Sequence, residues 1–196
     1  MNSAKASLVR NTLETQISMS VDFGAADGYG LKGTSGVGFF DHMLNSLAIH
    51  SRSVIELNMK GDLHVDCHHT IEDVGIVLGK LYGEIVKERG KIMRYGTSFI
   101  PMDEALARCV IDISGRPYLV CDYLPTSPMI GDYDTQMTAE FFRAVAFNMG
   151  ATLHIALLYG DNDHHCVEAM FKAFAHALAD AIAPRDGEIL SAKGTL

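Results

Sequence analysis

Apolar residues recur along this chain at two spacings, and the two spacings follow one another in the same order twice. Ile17, Met19, Val21 and Phe23 alternate with Gln16, Ser18, Ser20 and Asp22, the period-2 pattern of a strand with one buried face. Ala105, Ala107, Cys109, Ile111 and Ile113 keep that spacing later, with Arg108 and Asp112 on the opposite face. Phe40, Met43, Leu44 and Leu47 recur at three and four, as on a helix, and Phe142, Val145, Ala146 and Met149 do the same. The spacing predicts further strands over 54–59 and 153–158. Two longer amphipathic helices follow, one marked by Ile71, Val74, Leu78, Leu81 and Ile85, the other by Val167, Met170, Phe171, Phe174, Leu178 and Ile182. Pro184 and Gly187 stop the second.

Fixed markers run in step with these elements. Phe39-Phe40, Gly61-Asp62 and His68-His69-x-x-Glu72 appear in the first half; Phe141-Phe142, Gly160-Asp161 and His164-His165-x-x-Glu168 appear in the second. A duplication accounts for this order more simply than coincidence, with halves at 1–92 and 93–196 making one compact unit. The expected fold is α+β: duplicated half-units, each a mostly antiparallel sheet with helices on one face. Two stretches read as loops, the glycine-rich 24–38 and the polar 129–136.

Composition narrows the class. The chain has 196 residues, 48% hydrophobic and 20% charged, enough for a sizeable core. A net charge of -8 argues against broad nucleic-acid or anionic-membrane binding, which need a basic face. No run of about 18 uncharged apolar residues is present, and the first sixteen residues hold no apolar signal core. Cys67, Cys109, Cys121 and Cys166 form no C-x-x-C pair and read as small buried thiols. These features predict a cytoplasmic protein.

The chemistry sits in the repeated His-His-x-x-Glu. At 100° per residue, the Glu projects about 40° from the first His and 60° from the second, between them. The adjacent imidazoles diverge by about 100°, too far to grip one ion easily. Two copies then point to two divalent ions, each taking one His from each copy. Asp66 and Asp163 are placed to cap the helices or to orient imidazole N–H groups. His42 and His154 are the candidates to complete each set, while His50, His64 and His176 read as structural or surface. A small basic group accompanies the motif: Arg94, Arg116, Lys172 and, with Ser191, Lys193. A phosphate-bearing substrate wants such a set. A binuclear metal hydrolase and a metal-storage shell are the competing readings.

F-F-D-H-M-L at 39–44, H-H-T-I-E-D at 68–73, R-Y-G at 94–96, P-M-D-E-A-L at 101–106, S-G-R-P at 114–117 and G-D-N-D-H-H-C-V-E at 160–168 together resemble the imidazoleglycerol-phosphate dehydratase family. The likeness spans nearly the whole chain. It implies a hydro-lyase of histidine biosynthesis that converts imidazole glycerol phosphate to imidazole acetol phosphate and water. It implies two manganese ions per active site, held by His42, His68, His69, Glu72, His154, His164, His165 and Glu168. It implies phosphate binding at Arg94, Arg116, Lys172, Ser191 and Lys193, and places Glu14 near the reacting carbons, where Glu14 or a metal-bound water serves as the acid–base group. His42, His68, Glu72, His164 and Glu168 take catalytic roles with it. The family forms a homo-oligomeric shell of 24 subunits with sites between subunits. Some relatives carry a fused phosphatase with a D-x-D-G-T motif, which this chain lacks.

Overall fold

A computed structural model describes residues 4–26 and 28–187; Ser191 and Lys193 lie outside the described residues. In the first half, β1 (Ala4–Asn11) and β2 (Thr15–Phe23) form a hairpin, followed by β3 (Gly30–Thr34), α1 (Gly38–Ser51), β4 (Ser53–Gly61) and α2 (His68–Arg89). In the second, β5 (Tyr95–Met102) and β6 (Ala105–Ile113) form a hairpin, followed by β7 (Tyr118–Asp122), the short pair β8 (Met129–Ile130) and β9 (Tyr133–Asp134), then α3 (Met137–Met149), β10 (Ala151–Tyr159) and α4 (Asp163–Ala181). The sheets run β1-β2-β4-β3 and β5-β6-β10-β7. Both are antiparallel except for one parallel pair each, β3 with β4 and β7 with β10. Chain order and strand order match, as a duplication demands.

Alternation sets the faces. The inward residues of β2 and of β6 are buried throughout, while Gln16, Ser18 and Arg108 face outward. Each sheet therefore covers one face with helices, and each helix needs a second partner. α2 packs on α3 and α4 packs on α1, so every helix pair crosses between the halves. Thirteen of the nineteen residues of α4 are buried, from Asp163 to Ala181, more than one apolar stripe can hold, so the helix is covered around most of its surface. The α2–α3 approach is close because α2 carries glycine on that side. A Cβ on Gly79 would stand 2.6 Å from the Val145 carbonyl oxygen and 2.9 Å from the Asn148 Cβ.

Three expectations change. The 24–38 stretch contains strand β3, because Gly33 rides directly over the β4 backbone, where a Cβ would lie 1.8 Å from the Leu57 carbonyl oxygen. The 129–136 stretch is a small hairpin that buries Tyr133, whose hydroxyl pairs with Thr138 Oγ1 at 2.9 Å. Third, the repeated Phe-Phe markers are not structural equivalents. α1 ends on Arg52 at φ 60° and α3 on Gly150 at φ 73°, and Phe23↔Ser53 matches Ile113↔Ala151 in register. That alignment sets Phe141-Phe142 on Met43-Leu44, four residues further along. A shift of four keeps the same helix face, so the apolar pattern survived it. No helix among the described residues is long and apolar enough to cross a membrane.

Candidate metal centre

The α4 start carries the most complete group. Asn162 caps the helix by accepting the His164 N–H at 2.9 Å, which aims the first turn at the end of α1. There His42 Nε2 and His164 Nε2 each lie 3.3 Å from Glu168 Oε2, and the three ligand atoms sit within 4.8 Å of one another. Phe39 packs its ring edge-on to His164, with centroids 4.9 Å apart. Glu168 is buried, and burial pushes its pKa up; the hydrogen bond and charge of Lys172, whose Nζ is 2.7 Å from Oε1, with His42 added, bring it net below the ordinary value. Two imidazoles and an ionised carboxylate converging on one point are a donor set that fits a first-row divalent cation and does not select manganese among them.

The α2 start is more open. Asp66 Oδ1 accepts the His68 N–H at 2.7 Å, the capping role expected of it. His68 and Glu72 are 4.0 Å apart, each with more than two-fifths of its side chain exposed. His69 Nε2 is 3.6 Å from Glu14, at the β1–β2 turn. That turn is held by Asp73, the last residue of H-H-T-I-E-D, which takes both Arg10 and the Thr15 hydroxyl in short contacts. Among the described residues, no hydrogen bond or ion pair brings His68, His69 or Glu72 onto His42, His164 or Glu168. Among the described residues, the donor group that closes within one chain draws on the α4 copy alone.

Both second histidines are held from behind. Asp62 Oδ2 lies 2.9 Å from His69 Nδ1, and Glu104 Oε2 lies 2.8 Å from His165 Nδ1. The Asp62 hydrogen bond raises the His69 pKa above that of an ordinary imidazole, and the Glu104 bond does the same for His165. Glu104 itself is pushed down to about 2 by His165 and the Asn162 N–H. Asp163, expected at such a position, instead holds the 123–127 segment through Thr126, Ser127 and Tyr123.

The other candidates fall as follows. His154 is exposed on the face of β10 opposite Leu153 and Ile155, which are buried, as strand alternation requires. His50 and His176 pair with each other at 3.2 Å. Cys166 is a buried thiol, pushed up to about 11 chiefly by burial, and it fills the space beside Gly160. Arg94 is buried and grips Asp112 by two bonds, at 2.7 and 3.1 Å; Arg116 reaches the same carboxylate at 3.9 Å with two-thirds of its side chain exposed. The backbone N–H of Arg94 bonds the Ala181 carbonyl, at the far end of α4. Glu168 and Ala181 are thirteen residues apart, about 20 Å of helix at 1.5 Å per residue. In one chain, Arg94, with Arg116 on the same Asp112, stands at the opposite end of α4 from His42, His164 and Glu168, while Lys172 lies beside Glu168. Sequence reasoning missed Glu104, although P-M-D-E-A-L displayed it, because nothing local ties it to His165, sixty-one residues away.

The comparisons with known proteins set this duplicated sheet-and-helix frame, with imidazoles and carboxylates at its helix starts, among enzymes, the lyases that remove water. The family model for imidazoleglycerol-phosphate dehydratase matches residues 35–178. The chain is 50% identical over 199 residues to the imidazoleglycerol-phosphate dehydratase of Clostridium botulinum, covering 100% of both, and 51% identical over 178 residues to that of Exiguobacterium, covering 90% of both. The crystal structure of imidazoleglycerol-phosphate dehydratase from Staphylococcus aureus superposes with a TM-score of 0.82 at 41% identity, covering 92% of this chain and 99% of that one. The Pyrococcus furiosus structure, in complex with (S)-C348, gives 0.83 at 33% identity, covering 96% and 100%. The chain belongs to the imidazoleglycerol-phosphate dehydratase family.

Proposed function

We propose that this chain dehydrates imidazole glycerol phosphate to imidazole acetol phosphate in histidine biosynthesis, with two manganese ions per active site. The observation that carries the reading is the convergence of His42, His164 and Glu168 inside the segment matched by the family. The reaction removes a hydroxyl and a neighbouring C–H proton, with no carbonyl to accept the charge. His42, His164 and Glu168 would hold a divalent cation, which would supply Lewis-acid withdrawal of charge from the substrate's imidazole ring and so help the hydroxyl to leave. Glu14, exposed on the β1–β2 turn and anchored through Thr15 to Asp73, removes the adjacent proton and returns it on tautomerisation. Arg94, Arg116, Lys172, Ser191 and Lys193 take the phosphate and fix the reacting carbons. Arg116 has the exposed head for it; Arg94 braces Asp112 beside it.

The two ions are held by His42, His68, His69, Glu72, His154, His164, His165 and Glu168, each ion taking one His from each motif copy. Residues 1–92 and 93–196 are read as the two halves of one unit. The distance of about 20 Å along α4 between Arg94 and the α4 cluster supports a site shared between subunits. A 24-subunit shell then supplies the metal half from one chain and the clamp from another. Four free thiols fit a reducing, cytoplasmic setting.

The test is turnover of imidazole glycerol phosphate with and without manganese, together with elemental analysis of protein purified without chelator. The expected result is metal-dependent activity with close to two ions per chain. One ion per chain overturns the two-ion assignment, and full activity in metal-free protein overturns the mechanism.

A further inference from the structure

The two halves place an acid at the same point of their first hairpin. Matching the buried positions Thr15, Ile17, Met19, Val21 and Phe23 with Ala105, Ala107, Cys109, Ile111 and Ile113 sets Glu14 on Glu104. Gly61-Asp62 and Gly160-Asp161, which close β4 and follow β10, are counterparts too. Yet the contacts are crossed. In the first half His69 Nδ1 is held by Asp62 at 2.9 Å, and Glu14 stands off at 3.6 Å from Nε2. In the second half His165 Nδ1 is held by Glu104 at 2.8 Å, and the Asp161 side chain is exposed and holds no histidine. Glu104 is fixed in turn by the N–H groups of Asp161 and Asn162, at 3.3 and 2.8 Å.

We propose that Asp62 and Glu104 are positioning residues that fix the tautomer and ring orientation of His69 and His165, and that the halves have exchanged this duty. A neutral imidazole has one N–H. Donated from Nδ1 to a carboxylate, it leaves the Nε2 lone pair as the outward atom, and the carboxylate makes that lone pair more basic. The opposite tautomer would set the Nδ1 lone pair against carboxylate lone pairs, so both carboxylates select against it. With Asp62 orienting His69, the hairpin acid of the first half is released from that duty. Glu14 is thereby free to face substrate, while its counterpart Glu104 is locked with three donors. One duplicated carboxylate became the acid–base group and the other a brace.

The proposal rests on the metal reading above and is tested by manganese titration of the full-length metal-free chain against a competing chelator. Asp62→Asn and Glu104→Gln are each expected to weaken one of the two ions about 10- to 100-fold, leaving the other unchanged. Asp161→Asn, the control at the counterpart of Asp62, is expected to bind both ions like the unaltered chain. Nitrogen-15 spectra of the metal-free protein labelled at histidine give a second reading that needs no variant. They are expected to find the proton on Nδ1 of both His69 and His165. Two ions bound normally in Asp62→Asn and Glu104→Gln, or a proton on Nε2 of His165, overturns the proposal and leaves the metal reading intact. An unaltered chain that binds no ion overturns both.

Discussion

The starts of α2 and α4 are built from one motif, yet they differ in how much of a site each completes. At α4 the chain brings His42 onto its motif, buries Glu168 and backs it with Lys172. At α2, His68 and Glu72 are half-exposed, with no third donor gathered on them among the described residues. The difference shows that duplication copies a motif more readily than its surroundings.

The largest expected effect lies on the open side. Glu14→Gln keeps the shape and removes the proton-accepting charge, so kcat should fall roughly 10²- to 10⁴-fold with substrate still bound. Steady-state kinetics decide it; near-normal kcat moves the acid–base role elsewhere. Next comes the assembled side. His42→Ala should cost one ion per chain by elemental analysis, and stepwise chelation of the unaltered protein should release the α2-side ion first. Equal loss from both sides would erase the distinction drawn here. If sites are shared, light scattering should then show smaller species after complete metal removal and recovery on adding manganese. A smaller effect is expected at Arg116→Ala, a rise in KM corresponding to roughly 1.5–3 kcal/mol with metal content unchanged. An unaltered KM removes Arg116 from the clamp.

The smallest effect is on pH dependence. Protons compete with metal for every ligating imidazole, and His69 and His165 hold theirs more tightly than an ordinary histidine. Metal affinity should therefore begin to fall at a pH above about 6.5 on acidification. In metal-free protein the sign reverses. The two His–carboxylate pairs stabilise the fold fully below the unfolded pKa of about 6.5, and that contribution is lost as pH rises through the raised folded values. Thermal melts of metal-free and loaded protein across that window should diverge.

What was legible in the sequence followed periodicity. β2, β6 and all four helices appear in the alternation of apolar residues, and the two His-His-x-x-Glu copies mark α2 and α4. What was illegible required contacts between distant backbones. β3 has glycines where a strand signal should be, because Leu57 leaves no room at Gly33. The face of His154 was legible only once β10 was paired: it is exposed between the buried Leu153 and Ile155. The Phe-Phe markers misled by one helical turn, which conserves the face. Asp62 was visible as a repeat marker, but its bond to His69 was not, since only the folded loop closes it.

A helix that leans on the other half of the molecule cannot be stable before that half exists. Alone, residues 1–92 would expose the α2 stripe at Gly75 and Gly79 that the backbone of α3 covers, and α1 would lose α4. The chain should therefore fold as one cooperative event despite its twofold plan, with a single calorimetric transition whose van't Hoff and calorimetric enthalpies agree for the metal-free subunit. Gly79→Ala, which wedges a methyl into the crossing, should lower that one transition by roughly 1–3 kcal/mol of stability and not split it in two. Two resolved transitions would mean that the halves still remember being separate proteins.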